Sequence, residues 1–74
     1  MEVKIGVREV AREVVLESEL TPDAVAELVA TAVKSGAMLS LTDDKGRLVL
    51  VPGERIGYVE IGAAETRRVG FGSV

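Results

Sequence analysis

Apolar and polar residues alternate near the start of the chain, and the alternation predicts two strands. In residues 2–8 every odd position is apolar, the pattern of a strand with one buried face. Residues 12–17 repeat it, with Val14 and Leu16 on one side. Because only residues 9–11 lie between the two runs, we expect an antiparallel hairpin, although no Asn-Gly or Asp-Gly pair marks its turn.

A helix is predicted between Thr21 and Gly36 by clear signals at both ends. The Thr21 hydroxyl can cap a free N–H, Pro22 needs no hydrogen bond at the first position, and Asp23 suits the positive end of the helix dipole. Gly36 is a typical stop signal. The apolar positions between these ends follow helical spacing and predict one buried stripe: Val25, Leu28, Val29, Ala32 and Val33. We expect one amphipathic helix packed on a sheet.

Two further strands are predicted at residues 37–42 and 47–51, joined by the turn Asp43-Asp44-Lys45-Gly46. Asp commonly opens a type I turn, and Gly accepts the left-handed position that closes it. Residues 48–51 are apolar at every position. This pattern favours an interior strand that is covered on both faces, by the helix on one side and by a partner protein on the other.

The last third of the chain predicts two more strands. Pro52-Gly53 interrupts the pairing, a strand follows at residues 56–61, and a short last strand runs from Thr66 to Phe71. The predicted order is β-β-α-β-β-β-β. We therefore expect a single small α+β domain spanning residues 1–74, with a mostly antiparallel sheet of five to six strands and one amphipathic helix on a face.

The composition describes a small folded chain with a thin core. Its 74 residues are 47% hydrophobic and 28% charged, which is ordinary for a globular domain and unlike a disordered chain. Aromatic residues make up only 3%, so the core consists mainly of short aliphatic side chains. Because a domain of this size hides only about 60% of its unfolded surface, we expect a second subunit or a protein partner to add stability.

The residues that the chain lacks disfavour several kinds of chemistry. It contains no cysteine and no histidine, so it has no thiolate nucleophile and lacks the commonest metal ligand and general base. No phosphate-binding loop of the Gly-x-x-x-x-Gly-Lys-Ser/Thr type occurs. Asp43 and Asp44 are too few ligands for a divalent cation and are interpreted as turn residues. We expect no catalytic residue, no metal, no cofactor and no enzymatic activity.

The chain also gives no sign of a membrane or secreted protein. No apolar run approaches the length of about 18 residues that a membrane span needs. The first residues, Met1-Glu2-Val3-Lys4, lack the basic and then apolar layout of a secretion signal. We therefore expect a cytoplasmic protein without membrane contact.

The candidate interaction residues are cationic or aromatic. They are Arg47, Arg55, Tyr58, Arg67, Arg68 and Phe71. Arginines on adjacent strands could form a patch that holds a carboxylate or a phosphate by bidentate hydrogen bonds. The favoured interpretation is structural, in which they pair with Glu60 or Glu65 or protect an edge strand from aggregation. In a last strand, Arg67 would share a face with Val69 and Phe71, and Arg68 would point to the other side.

Two functional hypotheses follow from these observations. The first is a non-enzymatic protein-interaction module, acting as a homodimer or docking on a larger partner, because an apolar strand such as residues 48–51 is rarely left in water. The alternative is a weak nucleic-acid or anionic-ligand binder that uses the arginines. The net charge of -3 disfavours the alternative, since phosphates would meet a weak positive field at best.

Several stretches of the sequence together resemble a known family. These are Met1-Glu2-Val3-Lys4-Ile5-Gly6-Val7, Ala11-Arg12-Glu13, Val49-Leu50-Val51-Pro52, Tyr58-Val59-Glu60-Ile61-Gly62 and Arg67-Arg68-Val69-Gly70-Phe71-Gly72. The chain resembles, along essentially its whole length, the short actinobacterial proteins that are grouped as a domain of unknown function. The resemblance implies a small cytosolic protein and carries no functional residue over to this chain.

Overall fold

The computed structural model describes residues 1–62 and the backbone of residues 67–70. The elements, in chain order, are β1 (Glu2–Val7), β2 (Val14–Glu17), α1 (Pro22–Ser35), β3 (Met38–Thr42), β4 (Leu48–Pro52), a 3₁₀ turn (Gly53–Arg55), β5 (Ile56–Ile61) and β6 (Arg67–Gly70). The predicted α+β class and the predicted β-β-α-β-β-β-β order are confirmed. The expected ends of the last strand, Thr66 and Phe71, lie outside the described residues.

The strands are divided between two antiparallel sheets, where the sequence favoured one. A four-stranded sheet has the order β2-β1-β5-β6, and β3 pairs with β4 in a separate two-stranded sheet. The division occurs at the 3₁₀ turn, where the chain leaves β4 and enters β5, which pairs with β1. Strand β1 is paired on both sides in the larger sheet; Val3, for example, lies opposite Leu16 of β2 and opposite Ile61 of β5.

The first hairpin forms as predicted, with a second strand that begins two residues later than expected. Val14 and Leu16 of β2 face inward, while Val15 and Glu17 are exposed. The turn lacks the usual glycine because Glu9 itself takes the left-handed conformation, at a φ of 63°. Arg8 anchors this turn to the rest of the chain, because its N–H donates to the carbonyl oxygen of Arg55 at 2.7 Å.

Helix α1 begins and ends at the predicted signals. The Thr21 hydroxyl accepts a hydrogen bond from the Ala24 N–H at 3.1 Å, and Gly36 closes the helix at a φ of 74°. The buried stripe consists of Val25, Val29 and Ala32. Leu28 was expected in this stripe, but 43% of it is exposed, because it lies about 60° from the centre of the stripe at 100° per residue. No helix within the described ranges is long and apolar enough to span a membrane.

The core lies between α1 and the inner faces of both sheets. Its fully buried residues are all aliphatic: Val3, Ile5, Leu16, Val25, Val29, Ala32, Leu39, Leu41, Val51, Ile56, Val59 and Ile61. The expectation of a core built from short aliphatic side chains is therefore confirmed for the described residues. Because such a core is small, each of its buried side chains contributes a large share of the free energy of unfolding.

Strand β4 is not the interior strand that its sequence favoured. Val49 is half-buried and Val51 is buried, but 61% of Leu48 and 53% of Leu50 are exposed. Among the described strands β4 is an edge strand, and the expected cover of its second face by a partner protein stays a prediction. The reason for the exposure of Leu48 and Leu50 is topological, because β4 belongs to a two-stranded sheet and only the face that carries Val49 and Val51 packs on the core.

Candidate functional site

Three large apolar side chains are exposed together on the outer side of the β3–β4 hairpin. They are Leu48, Leu50 and Met38, the last of which is 55% exposed. Side chains alternate along each strand, and the register places Ser40 opposite Leu50 and Thr42 opposite Leu48. All six outward residues are exposed, and we call them the hairpin face: Met38, Ser40, Thr42, Leu48, Leu50 and Pro52.

The hairpin face carries no charged residue, although 28% of the chain is charged. At that average, a surface of six residues would hold one or two charges. Depletion of charge around exposed apolar side chains is typical of the centre of a protein interface. Leu28 extends the apolar area, since it lines one shallow depression with Met38.

The turn of this hairpin is held by the buried side chain of Asp43. Its carboxylate accepts hydrogen bonds from the N–H groups of Lys45 at 2.9 Å and Arg47 at 2.7 Å, and from Arg47 Nε at 2.6 Å. Gly46 completes the turn at a φ of 83°. Burial raises the pKa of the Asp43 carboxyl, but the hydrogen bonds from Arg47 and Lys45 outweigh burial and hold this pKa below its ordinary value.

The other end of the hairpin is fixed by the backbone of Gly53. Its N–H donates to the Ala37 carbonyl oxygen at 2.9 Å. The backbone also approaches the end of α1 so closely that a Cβ at this position would overlap the Ala32 carbonyl group. On the turn side, the Asp44 N–H bonds to the Glu17 carbonyl oxygen at 2.9 Å. Because both ends are anchored, the hairpin face is presented in a fixed shape.

The structure places the predicted arginines and Tyr58 at different sites. Arg47 is paired with Asp43, and it lines a depression that also includes Glu2 and Glu17. Tyr58 instead lies opposite Gly6, four residues further along β1, or about 13 Å at 3.3 Å per residue. The described residues therefore do not bring Arg47 into one patch with Tyr58.

Arg55 and Tyr58 each have a carboxylate partner. One Arg55 Nη lies 3.8 Å from a Glu9 carboxylate oxygen. The Tyr58 hydroxyl donates to the Glu13 carboxylate, and its ring covers Gly6. The sequence suggested Glu60 or Glu65 as partners for the arginines. The structure instead pairs Arg55 with Glu9 and Arg47 with Asp43.

The remaining candidates lie on or beyond β6. The register places Arg67 opposite Ile61 and Arg68 opposite Glu60. Only the backbone of these two residues is described, so the expected directions of their side chains stay a prediction. Phe71 lies outside the described residues.

A second concave region lies between α1 and β5. Its volume is about 470 Å³, and its floor includes Val29, Val59 and Ile61, with Asp23 and Glu27 on the side of the helix. The volume is in the range of small-molecule sites, but both carboxylates are exposed and no buried polar group of the described lining is aimed into it. Within the described residues, no three acidic side chains are grouped closely enough to hold a metal ion.

Comparison with protein families identifies the group to which the chain is related. A family model described as "Protein of unknown function (DUF3107)" matches residues 1–72. The chain belongs to this family. The resemblance seen in the sequence to a domain of unknown function is thereby confirmed. The description of the DUF3107 family assigns no role. A search of curated proteins found no match.

The sequence missed part of the hairpin face. It identified the apolar run at residues 48–51 but did not single out Met38, which lies across the hairpin opposite Pro52. The signal was available, because pairing the two strands around the Asp43–Gly46 turn places even-numbered residues of both strands on one side. In this DUF3107 chain, that register places Met38, Leu48 and Leu50 on the same face of the hairpin.

Proposed function

We propose that this protein is a non-enzymatic, cytoplasmic protein-interaction module whose binding surface is the hairpin face and whose partner is a second copy of the chain. One observation carries the proposal. Met38, Leu48 and Leu50 are each more than half exposed on a surface that holds no charge. Large apolar patches of this kind usually mark a contact with another protein.

The expected affinity follows from the apolar area that remains exposed. Full burial of a Leu or Met side chain contributes about 1.5–3 kcal/mol, so covering the exposed half of each contributes about 1 kcal/mol. If all six such side chains of a dimer were covered, they would give at most about 6 kcal/mol, against an association cost of at least about 4 kcal/mol. A Kd on the order of 100 µM corresponds to about 5.5 kcal/mol. We expect a weak dimer of this affinity, in which contacts by neighbouring residues supply the remaining ~3.5 kcal/mol or more.

A second copy suits this surface better than a charged partner does. The net charge of -3 makes two copies repel each other weakly, and the uncharged hairpin face is where that repulsion matters least. A two-fold axis lets one apolar patch serve as its own complement. A standard interface covers about 800 Å² per partner, roughly a sixth of the 4927 Å² surface of this chain, so residues beside the hairpin face, such as Leu28, would contribute.

The alternative of nucleic-acid or anion binding has less support. Arg47 contacts Asp43 and Arg55 contacts Glu9, so each cation already has an acidic neighbour. The two arginines also belong to different anchoring sites, one at the hairpin turn and one beside the first hairpin. An anion at either place would lie near a carboxylate, whose negative charge opposes its binding.

Sedimentation velocity between about 5 µM and 1 mM tests the proposed function. We expect the sedimentation coefficient of the wild-type chain to rise with concentration, and that of Leu48→Ser/Leu50→Ser to remain that of a monomer. Val10→Ser is the matched control, because Val10 is 55% exposed but lies outside the hairpin face. A wild-type chain that stays monomeric throughout would overturn the proposal. Salt-sensitive binding to a short RNA, lost on Arg67→Ala/Arg68→Ala, would favour the alternative.

A further inference from the structure

The backbone of β4 adds a second feature to the hairpin. Two hydrogen bonds flank the β3–β4 ladder: the Asp43 N–H donates to the Arg47 carbonyl oxygen at 2.8 Å, and the Gly53 N–H donates to the Ala37 carbonyl oxygen at 2.9 Å. They mark 43↔47 and 37↔53 as hydrogen-bonded pairs at the two ends of the register.

These two pairs determine the direction of every backbone group in β4. Hydrogen-bonded and non-hydrogen-bonded pairs alternate along an antiparallel ladder, so 41↔49 and 39↔51 are hydrogen-bonded. The pairs that contain Leu48 and Leu50 are not. The N–H and C=O groups of Leu48 and Leu50 therefore point away from β3, to the outer edge of the sheet. The same two residues expose their side chains.

No described residue is bonded to this edge. Among the described strands β4 pairs only with β3, and no other backbone hydrogen bond reaches Leu48 or Leu50. Strand β3, in contrast, is in contact with α1. Edge strands are usually protected by charged side chains, by bulges or by proline. Strand β4 has only Pro52, at its last position.

We propose that β4 pairs antiparallel with β4 of a second copy, about a two-fold axis at Val49, so that the two hairpins form one four-stranded sheet. This inference rests on the proposed function and names the arrangement of the dimer. In this register Leu48 of each copy lies opposite Leu50 of the other, and four backbone hydrogen bonds form. A register centred on Leu50 would instead place Leu48 opposite Pro52, which has no N–H to donate.

The pairing also uses the exposed leucines. Residues directly opposite each other on adjacent strands have side chains in contact, so Leu48 and Leu50 of the two copies would form two leucine pairs across the junction. Met38 lies on β3, one strand away from the junction, and would keep its exposure. Face-to-face packing of two hairpins would cover Met38 as well, so the behaviour of Met38 separates the two arrangements.

Amide hydrogen exchange of the wild-type chain, measured by NMR in dilute and in concentrated solution, tests this arrangement. We expect exchange at Leu48 and Leu50 to be fast in dilute solution and to slow about tenfold when nine-tenths of the chains are dimeric, because only the free tenth then exchanges. Val49 and Val51 are internal controls, since their N–H groups are already bonded to β3. A dimer in which Leu48 and Leu50 exchange as fast as in the monomer would overturn the edge pairing and leave the proposed function standing.

Variants give an independent reading by sedimentation. Leu50→Pro removes the leucine and the outward N–H without breaking a β3–β4 hydrogen bond, whereas the matched Leu50→Thr removes only the leucine. We expect Leu50→Pro to weaken the dimer at least tenfold more than Leu50→Thr, and Met38→Ser to leave it within twofold of wild type. A loss with Met38→Ser as large as with Leu50→Thr would favour face-to-face packing. A wild-type chain that never associates would reject both proposals.

Discussion

The close approach of Gly53 to the end of α1 gives a specific prediction for the stability of the fold. A Cβ added at Gly53 would lie 2.5 Å from the Ala37 carbonyl oxygen and still closer to that of Ala32, where real Cβ atoms keep at least 3.0 Å. Both obstacles are backbone atoms, so no side-chain rotation can relieve the overlap. In Gly53→Ala the 3₁₀ turn and the helix end must move apart.

The cost of this movement can be estimated from the contacts it disturbs. Overpacking of this kind costs about 1–3 kcal/mol, and losing the Gly53 N–H bond to Ala37 costs about 1 kcal/mol more. The lower entropy of the unfolded alanine chain returns less than about 1 kcal/mol. We expect Gly53→Ala to lower the free energy of unfolding by about 3 kcal/mol, a large part of the total for a small domain.

Urea denaturation followed by far-UV circular dichroism measures this loss. Gly46→Ala is the control, because Gly46 has a φ of 83° and no atom within 4 Å of an added Cβ, so it tests left-handed strain alone at about 1–2 kcal/mol. A Gly53→Ala chain that is less destabilised than Gly46→Ala would refute the argument, since a real overlap with backbone atoms must cost more than strain in an open turn.

Three further predictions follow from individual contacts. The folded-state pKa of Asp43 lies below its ordinary value, so its stabilising contribution is present above about pH 4 and is lost as the pH falls through the folded pKa. In urea titrations at decreasing pH, the free energy of unfolding of Asp43→Asn should therefore fall less steeply than that of the wild-type chain. An equal effect of Asp44→Asn would contradict the assignment to Asp43. Thr21→Ala should lower the free energy of unfolding by about 1 kcal/mol through loss of the helix cap, and Thr21→Asp, which can also cap, should restore most of it; a Thr21→Asp chain as unstable as Thr21→Ala would argue against capping. Gly6→Ala should push the Tyr58 ring off the sheet. A double-mutant cycle with Tyr58→Ala should therefore show a coupling of about 1 kcal/mol in the free energy of unfolding. Additive losses of that free energy would mean that the ring does not cover Gly6.

Local signals in the sequence predicted the elements well. The helix lies between Thr21 and Gly36 because a capping hydroxyl and a left-handed glycine act within one turn of its ends. Strand β5 runs from Ile56 to Ile61 as expected, since Pro52-Gly53 separates it from the preceding strand. The turn at residues 43–46 was likewise readable from its Asp and Gly positions.

Long-range arrangement could not be read in the same way. An apolar run such as residues 48–51 shows that a strand has two apolar faces, but periodicity does not tell whether anything covers the second face. The partition into two sheets depends on where the chain turns at Gly53, and that turn is fixed by contacts with the end of α1. Arg47 was assigned to a patch because arginines were expected on adjacent strands of one sheet, whereas its partner Asp43 lies only four residues away.

The central position of β1 has a consequence for how the chain folds during synthesis. Val3 pairs with Ile61, so the larger sheet cannot close until nearly the whole described chain has been made. At about 5–20 residues per second, β1 waits roughly 3–12 s with the backbone groups of one edge unpaired. Closing contacts between such distant residues also slows folding compared with helical proteins of similar size. The first hairpin is therefore the segment most exposed to aggregation on the ribosome, even though β1 is paired on both sides in the folded protein.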